Sequence, residues 1–502
     1  MRADSPLRVF FVAWLLLSLL AGAWAMATPI GAAPDEPAHL IKAASVVRGQ
    51  FVGAPGASGQ VVQVPRYVAF TQNQTCYAFK PDVTADCMAD VPGDPAELTD
   101  ASTTAGLYNP VYYLLVGWPS LLAHDSGGIY LMRLVSAVVV SLFFAAALAL
   151  VARWPRPTIP LLAFGVAATP MVLFLSGSVN PNSLEIAATL TTFVALLSAI
   201  RYPDATRLST VAAVVAASAA LAANMRGLSL LWLALAIITP FILATGSQIR
   251  ALASTRSVRL AIAGTAVAGV LAAVWLLSTN SLGAALEKPG PVTDAPAVGS
   301  SPASGFIWTL LSTFKYSEGL VGVFGWLDTP APEFVFFAWS LFVGVLVLLA
   351  LVLLRGRELV FAVVLLATLL LLPPIVQAAY ITGGGIIWQG RYILPVFVCV
   401  VVALGATLSD RIALERGVTT RLVAVVLVSW GAAHAYSFAT ALRRYAVGLD
   451  GGWLELAHPA WAPPGGIALW ISAFTAVVAA AVVVGIRLVR ATPAEESPAI
   501  RR

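Results

Sequence analysis

The segment Pro34-Asp35-Glu36-Pro37-Ala38-His39 brings two adjacent carboxylates and an imidazole into six residues. An acid beside a histidine can accept a proton from a hydroxyl, hold a cation or orient a polar ligand. The segment follows directly on an uncharged apolar run, Val9 to Ala27, that is long enough to cross a bilayer. Carboxylates at a membrane exit are costly to hold without partners, which favours a chemical use for them. The plain alternative is structural. Pro37 suits the first turn of a helix, so Asp35 or Glu36 serves equally well as its N-cap, worth about 1 kcal/mol. His39 lies one turn after Asp35 on the same face, where a hydrogen bond to a local carboxylate is expected before metal ligation.

The elements that must position these groups are set by composition. Hydrophobic residues make up 59% of the chain, charged residues 11%, and the mean hydropathy is +0.88. Soluble domains carry roughly 25% charged residues, so this is an integral membrane protein. Apolar runs of about spanning length fall near 9–27, 129–152, 159–176, 184–200, 208–223, 227–245, 260–278, 334–354, 359–380, 393–408, 422–440 and 467–486. The expectation is an all-α polytopic membrane protein with about twelve transmembrane helices. It forms a single transmembrane domain over 1–490 and ends in a tail over 491–502. The fifth and sixth runs are short, and the turn Asn224-Met225-Arg226-Gly227 separates them. The first run exceeds the roughly 7–15 apolar residues of a secretory signal, so it is an anchor despite the cleavage-like Ala25-Met26-Ala27.

Most of the 29 basic residues fall on one side of that arrangement, among them Arg8, Arg153, Arg156, Arg201, Arg256, Arg355, Arg357, Arg411 and Arg487. By the positive-inside rule that side is cytoplasmic, with both termini, in a multi-pass protein of the cell (plasma) membrane. The modest net charge of +5 is a topology signal, and no nucleic-acid partner follows from it. Two long outer loops remain, 28–128 and 279–333, and loops of that length tend to be functional or disordered. In the first, residues 37–49 read as a helix, Gly, Pro, Ser and Gln dominate to about 64, and an acidic stretch runs over 82–100. The aromatic segment from Gly106 to Leu122 is expected to lie along the membrane surface; crossing would reverse the arginine bias. The second loop opens on a Pro/Gly/Ala/Ser linker, Glu287 to Gly305. Cys76 and Cys87 share the first loop, where a short disulfide on the oxidising side competes with two free thiols. Cys399 lies inside a span.

Polar groups gather at outer helix ends: Asp35, Glu36, His39, Arg133, Asn180, Asn182, Glu185, Arg226, Lys315, Glu318, Asp328, Gln389, Arg391, His434, Arg443 and Arg444. A secondary transporter would place its ligands near the midplane, often in broken helices of repeated halves. This crowding at one surface suits an enzyme whose lipid-linked substrate presents its head group there. Taken singly the groups have plainer uses. Arg133 and Arg391 each begin a span and can be interfacial anchors, and Asn180-Pro181-Asn182 is first a turn. The chain has no internal repeat, Gly-rich phosphate loop, metal-type Cys/His spacing or nucleophile elbow.

Five segments in order carry a resemblance. They are Pro34 to His39, Asn109-Pro110-Val111-Tyr112-Tyr113, Ser178-Val179-Asn180-Pro181-Asn182-Ser183, Phe324-Gly325-Trp326-Leu327-Asp328-Thr329 and Gln389-Gly390-Arg391-Tyr392-Ile393-Leu394-Pro395. Over nearly the whole chain these resemble the domain of unknown function 2142 family of bacterial multispanning proteins. That family is grouped with the GT-C glycosyltransferases, to which only the first third is similar. The resemblance implies a GT-C-like fold and transfer of a sugar from a polyprenyl-phosphate donor to an envelope glycan or glycolipid acceptor, outside the cytoplasm. It implies Asp35 as general base, with Glu36 supporting the site or holding a divalent cation such as Mg or Mn. Arg391 and Arg133 would face the donor phosphate, and His39 would orient the acceptor or a carboxylate. The other motif residues, Asn109, Tyr112, Asn180, Asn182, Asp328 and Gln389, would line the substrate site. Two features depart from the pattern. Asn109 stands where some lipid-donor enzymes carry a lysine, and Asp35-Glu36 is not a spaced acidic pair of the metal-binding kind. A transporter or flippase of a lipid-linked saccharide is the alternative, and a non-catalytic glycolipid-binding subunit the third reading.

Overall fold

The computed structural model describes residues 6–281 and 297–490. The C-terminal tail and most of the linker expected from Glu287 lie outside the described residues. The fold is all-α and polytopic, with only small sheets in the loops. Nine helices are long and apolar enough to cross a membrane among the described residues, or ten if one bent pair counts as a span.

This is fewer than the twelve expected, for reasons visible in the chain. Every apolar run did become helical, but the run over 208–223 gives a helix of only 16 residues. In the run over 227–245, Pro240 marks a change to a 3-10 turn after the helix Ser229–Ile238. The third run is the bent pair, turned by 63° where Thr158–Ala167 gives way to Pro170–Ser176. Proline at the start of the second piece cannot continue the ladder of the first. The carbonyl of Ala168 at the break accepts from Trp430 Nε1 and lies 3.0 Å from His434 Nε2. His434 is therefore a packing group within its span rather than part of the outer polar cluster.

The site is positioned by the first eight helices and one later segment. In order these are α1 (Pro6–Ala27), α2 (Glu36–Val46), α3 (Arg66–Ala69), α4 (Val111–Gly117), α5 (Gly127–Val151), α6 (Thr158–Ala167), α7 (Pro170–Ser176) and α8 (Pro181–Arg201). The spans α8 and Gly390–Leu408 are 83% and 94% buried by their neighbours, so these two form the centre of the bundle. By contrast Arg256–Ser278 is 11% buried and faces outward along most of its length. Trp24 of α1 ties four elements together, with Phe174, Phe324, Phe438 and Phe474 ring centroids 5.0 to 6.1 Å away.

The first long loop is more ordered than its composition suggests. An antiparallel sheet of β1 (Ala54–Gly56), β2 (Gly59–Pro65) and β3 (Leu98–Thr103) pairs Ala54 with Val61 and Val62 with Ala101. It packs on α2, where Thr103 Oγ1 donates to the Ala38 carbonyl at 2.7 Å. All of α2 is buried, including Lys42, whose ammonium donates to the carbonyls of Phe51 and Gly106. Cys76 and Cys87 form a disulfide. The loop it closes is pinned by Arg444, which donates to the carbonyls of Tyr77, Lys80 and Val83.

The two long loops meet. Trp326 Nε1 donates to the Gly31 carbonyl at 3.0 Å, and the Phe79 amide donates to Asp328 at 2.9 Å. The start of the first loop and the second loop therefore lie at the same end of the bundle. The far end of the bundle is held differently, by a surface network in which Arg201 bridges Glu358 and Asp410 and Arg411 pairs with Glu358.

Candidate functional site

Asp35 and Glu36 leave α1 side by side and end in different surroundings. Asp35 has φ 61°, a left-handed conformation that Asp tolerates better than most residues. Its side chain makes no capping hydrogen bond, so the capping alternative does not describe it. Instead Oδ2 accepts from Arg391 Nη2 at 2.7 Å, with the Asp35 side chain 50% exposed and Arg391 only 3%. Arg391 reaches this position because its own backbone lies close to a neighbouring helix. A Cβ on Gly390 would sit 1.9 Å from the Tyr316 carbonyl, so only glycine permits that approach.

Glu36 is fully buried. Its two oxygens take a forked pair of hydrogen bonds from Arg133, at 2.8 Å from Nε and 2.5 Å from Nη2. The Val179 amide adds a third at 3.1 Å. Arg133 completes its coordination on the carbonyls of Ala25, Thr28 and Pro29. Neither side chain lines the cavity beside Asp35. The pairing of Arg133 with a donor phosphate is thus corrected: its five donors are spent inside the protein.

A cavity of about 200 Å³ opens beside Asp35. His39, Asn180, Asn182, Arg226 and Arg391 line it, together with Tyr108, Tyr392, Thr104 and Ala105. His39 comes from α2, and its Nδ1 lies 2.8 Å from the Tyr113 hydroxyl. The predicted bond to a local carboxylate is not made. Burial pushes the imidazole down to about 3, against the raising influence of Asp35 and with the help of Arg226 and Arg391, so it is neutral at ordinary pH. Asn180 is the N-cap of α8, accepting from the Asn182 amide at 3.0 Å and donating to the Pro34 carbonyl at 3.0 Å. It therefore fastens α8 to the turn that carries Asp35. Among the described residues, two buried polar atoms on the wall have no hydrogen-bond partner, Arg391 Nη1 and Asn182 Oδ1.

Of the residues expected at a substrate site, Asp35, His39, Asn180, Asn182 and Arg391 come together here. Four others are placed elsewhere. Asn109 accepts from the Val111 amide at 3.0 Å and donates to Asn224 Oδ1 at 2.8 Å, while the Tyr112 hydroxyl is 2.9 Å from Ser136 Oγ. Asp328 joins the loops through Phe79, Thr329 and Arg444. Gln389 precedes the cavity segment and has a buried, unpartnered Oε1. Arg226, Tyr108 and Tyr392 line the cavity without having been assigned a role from sequence. Arg226 stood in the sequence among the polar groups at outer helix ends, in a turn between two short apolar runs, with no role attached to it.

The acids do not suit a divalent cation. Both oxygens of Glu36 are occupied by donors, which leaves Asp35 as the carboxylate on the cavity wall. Among the described residues no three His, Cys, Asp or Glu side chains cluster in a way that could hold a metal ion. What the arrangement can do is accept a proton at Asp35, donate hydrogen bonds to an anion from two guanidiniums, and position a polar group against His39 and Asn182.

A family model described as predicted membrane protein (DUF2142) matches residues 17–400. The chain belongs to that family. The match takes in every residue lining the cavity and stops at residue 400, so it is shorter than the near-complete coverage expected. The helix Arg416–Val447, with Arg444, lies beyond the DUF2142 match. No curated protein matches the chain.

Proposed function

We propose that this DUF2142 protein is a membrane-embedded glycosyltransferase of GT-C type that works on the extracytoplasmic face of the plasma membrane. It moves a sugar from a polyprenyl-phosphate donor to an envelope glycan or glycolipid. The observation that carries this reading is the half-exposed Asp35 carboxylate held at 2.7 Å by Arg391, at the wall of a polar cavity. The arginine bias of the opposite face supports the orientation, with both termini cytoplasmic.

In the reaction, Asp35 accepts the proton of the acceptor hydroxyl as its oxygen attacks the anomeric carbon. The bond from that carbon to the phosphate oxygen breaks on the opposite face, with inversion, and the electron pair leaves with the phosphate. Arg391 contributes twice. It orients the carboxylate through their hydrogen bond, and once Asp35 is protonated its charge is released towards the departing phosphate. Neutral His39 orients the acceptor. A transporter would need access from both faces, and the broken span formed by α6 and α7 is the feature of that type; its freed carbonyl is already met by Trp430 and His434.

The test is transfer from labelled polyprenyl-phosphate hexoses and pentoses in membranes carrying Asp35→Asn. General-base loss is expected to slow transfer about 10²–10⁴-fold. Unchanged transfer removes Asp35 as the base. Mass spectrometry of envelope glycans from a deletion strain identifies the sugar and its acceptor.

A further inference from the structure

The cavity holds a second guanidinium that the reaction above leaves without a task. Arg226 lies in the turn between helices Leu208–Ala223 and Ser229–Ile238, where its backbone amide donates to Ser229 Oγ at 2.8 Å. Glu185 Oε2 is 4.0 Å from Arg226 Nη1, beyond hydrogen-bond distance. The two Glu185 oxygens are already engaged, by Ser229 Oγ at 2.5 Å and Asn182 Nδ2 at 3.0 Å. Among the described residues the Arg226 guanidinium donates no hydrogen bond, and it is 21% exposed, towards the cavity.

Both cations lie against the ring of Tyr392. Its centroid is 5.2 Å from the Arg226 guanidinium carbon and 5.3 Å from that of Arg391. Like charges lining one partly buried cavity repel, and an anion between them would relieve the repulsion. Asp35 is hydrogen-bonded to one of them, whereas Glu185 pairs with the other at 4.0 Å without a hydrogen bond. Arg391 Nη1 and Asn182 Oδ1 add a buried free donor and a buried free acceptor on the same wall. Unsatisfied buried groups of this kind call for a partner. A ligand satisfying both carries an anion with several acceptor oxygens next to a hydroxyl. A phosphate ester of a sugar has both.

We propose that Arg226 and Arg391 are the two arms of a seat for one lipid-borne phosphate ester, with Asn182 Oδ1 accepting from a hydroxyl of the attached group. This rests on the transferase reading and replaces Arg133 with Arg226 at the phosphate. Arg suits the role because its planar fork can grip two phosphate oxygens at once.

The full chain in nanodiscs is titrated with undecaprenyl phosphate and, separately, with undecaprenol, and binding is read by native mass spectrometry. The native protein is expected to prefer the phosphate. Arg226→Gln should lose about tenfold or more in affinity for it, and Arg226→Lys, which keeps the charge and loses the fork, should fall in between. If Arg226→Gln does not fold, the Lys variant decides. A retained preference with native affinity in the variants overturns the role of Arg226 and leaves the transferase reading standing. No preference for the phosphate in the native protein overturns the polyprenyl-phosphate donor itself. Displacement by inorganic phosphate at equal concentration would overturn the lipid-borne source, and its failure to displace supports it.

Discussion

Asp35 and Glu36 are adjacent in sequence, yet one faces a polar cavity and the other is sealed in the protein. Each is paired with an arginine. Arg391 holds Asp35 through one hydrogen bond and leaves half the carboxylate exposed, whereas Arg133 holds Glu36 through two and leaves none of it exposed. The difference lies in what surrounds the pair. Arg133 also satisfies three carbonyls where α1 ends, so the sealed pair fastens α5 to the turn that carries Asp35. Glu36 in turn accepts the Val179 amide just before α8. The open pair keeps unspent donors and acceptors. One acid is spent on architecture and its neighbour stays open to a ligand, and the first fixes the location of the second.

The comparison breaks most forcefully at the sealed pair. Glu36→Gln should strand the Arg133 charge and cost about 3–5 kcal/mol, read as a lowered melting temperature of the purified protein in detergent. Combining Glu36→Gln with Arg133→Met should recover part of that loss, though not all, because the three carbonyls lose their donors too. If Glu36→Gln melts like the native protein while transfer fails, the division of labour is wrong. Asp35→Asn is the counterpart. It should cost less stability than Glu36→Gln, because half of its carboxylate is already exposed, while transfer is lost.

His39 sharpens the comparison on a smaller scale. Its imidazole is held neutral by burial, down to about 3 from the ordinary 6.5. As pH falls below 6.5 the unfolded chain binds a proton that the folded chain refuses, so this contribution to stability is complete above 6.5 and lost as pH falls towards 3. Between pH 6.5 and 5 the loss should approach about 2 kcal/mol, and His39→Gln should remove it from the pH dependence of melting. Equal pH dependence in the native and variant proteins would show that the His39 imidazole is solvated rather than buried in the cavity wall.

Much of the helical frame was legible in the sequence because apolar runs in a membrane protein have little else to become. The number of crossings was less legible: Pro170 and Pro240 interrupt runs that hydropathy alone treats as continuous. The sheet of the first loop was missed since β3 pairs with β2 across more than 30 intervening residues, many polar or glycine. Within the site, residue type identified Asp35, His39, Asn180, Asn182 and Arg391, but could not distinguish Arg133 from Arg226. Both are single arginines near the end of an apolar run. Only the packing shows that Glu36 consumes the first and that Arg226 donates no such bond.

The left-handed backbone at Asp35 has an evolutionary consequence. Gly and Asn accept that conformation at little cost, and neither can take a proton. Glu keeps the acid, but it lacks the short side chain that eases this conformation and meets a strain of about 1–2 kcal/mol. A substitution at this position therefore preserves the shape of the turn or its chemistry, and aspartate is the residue that preserves both.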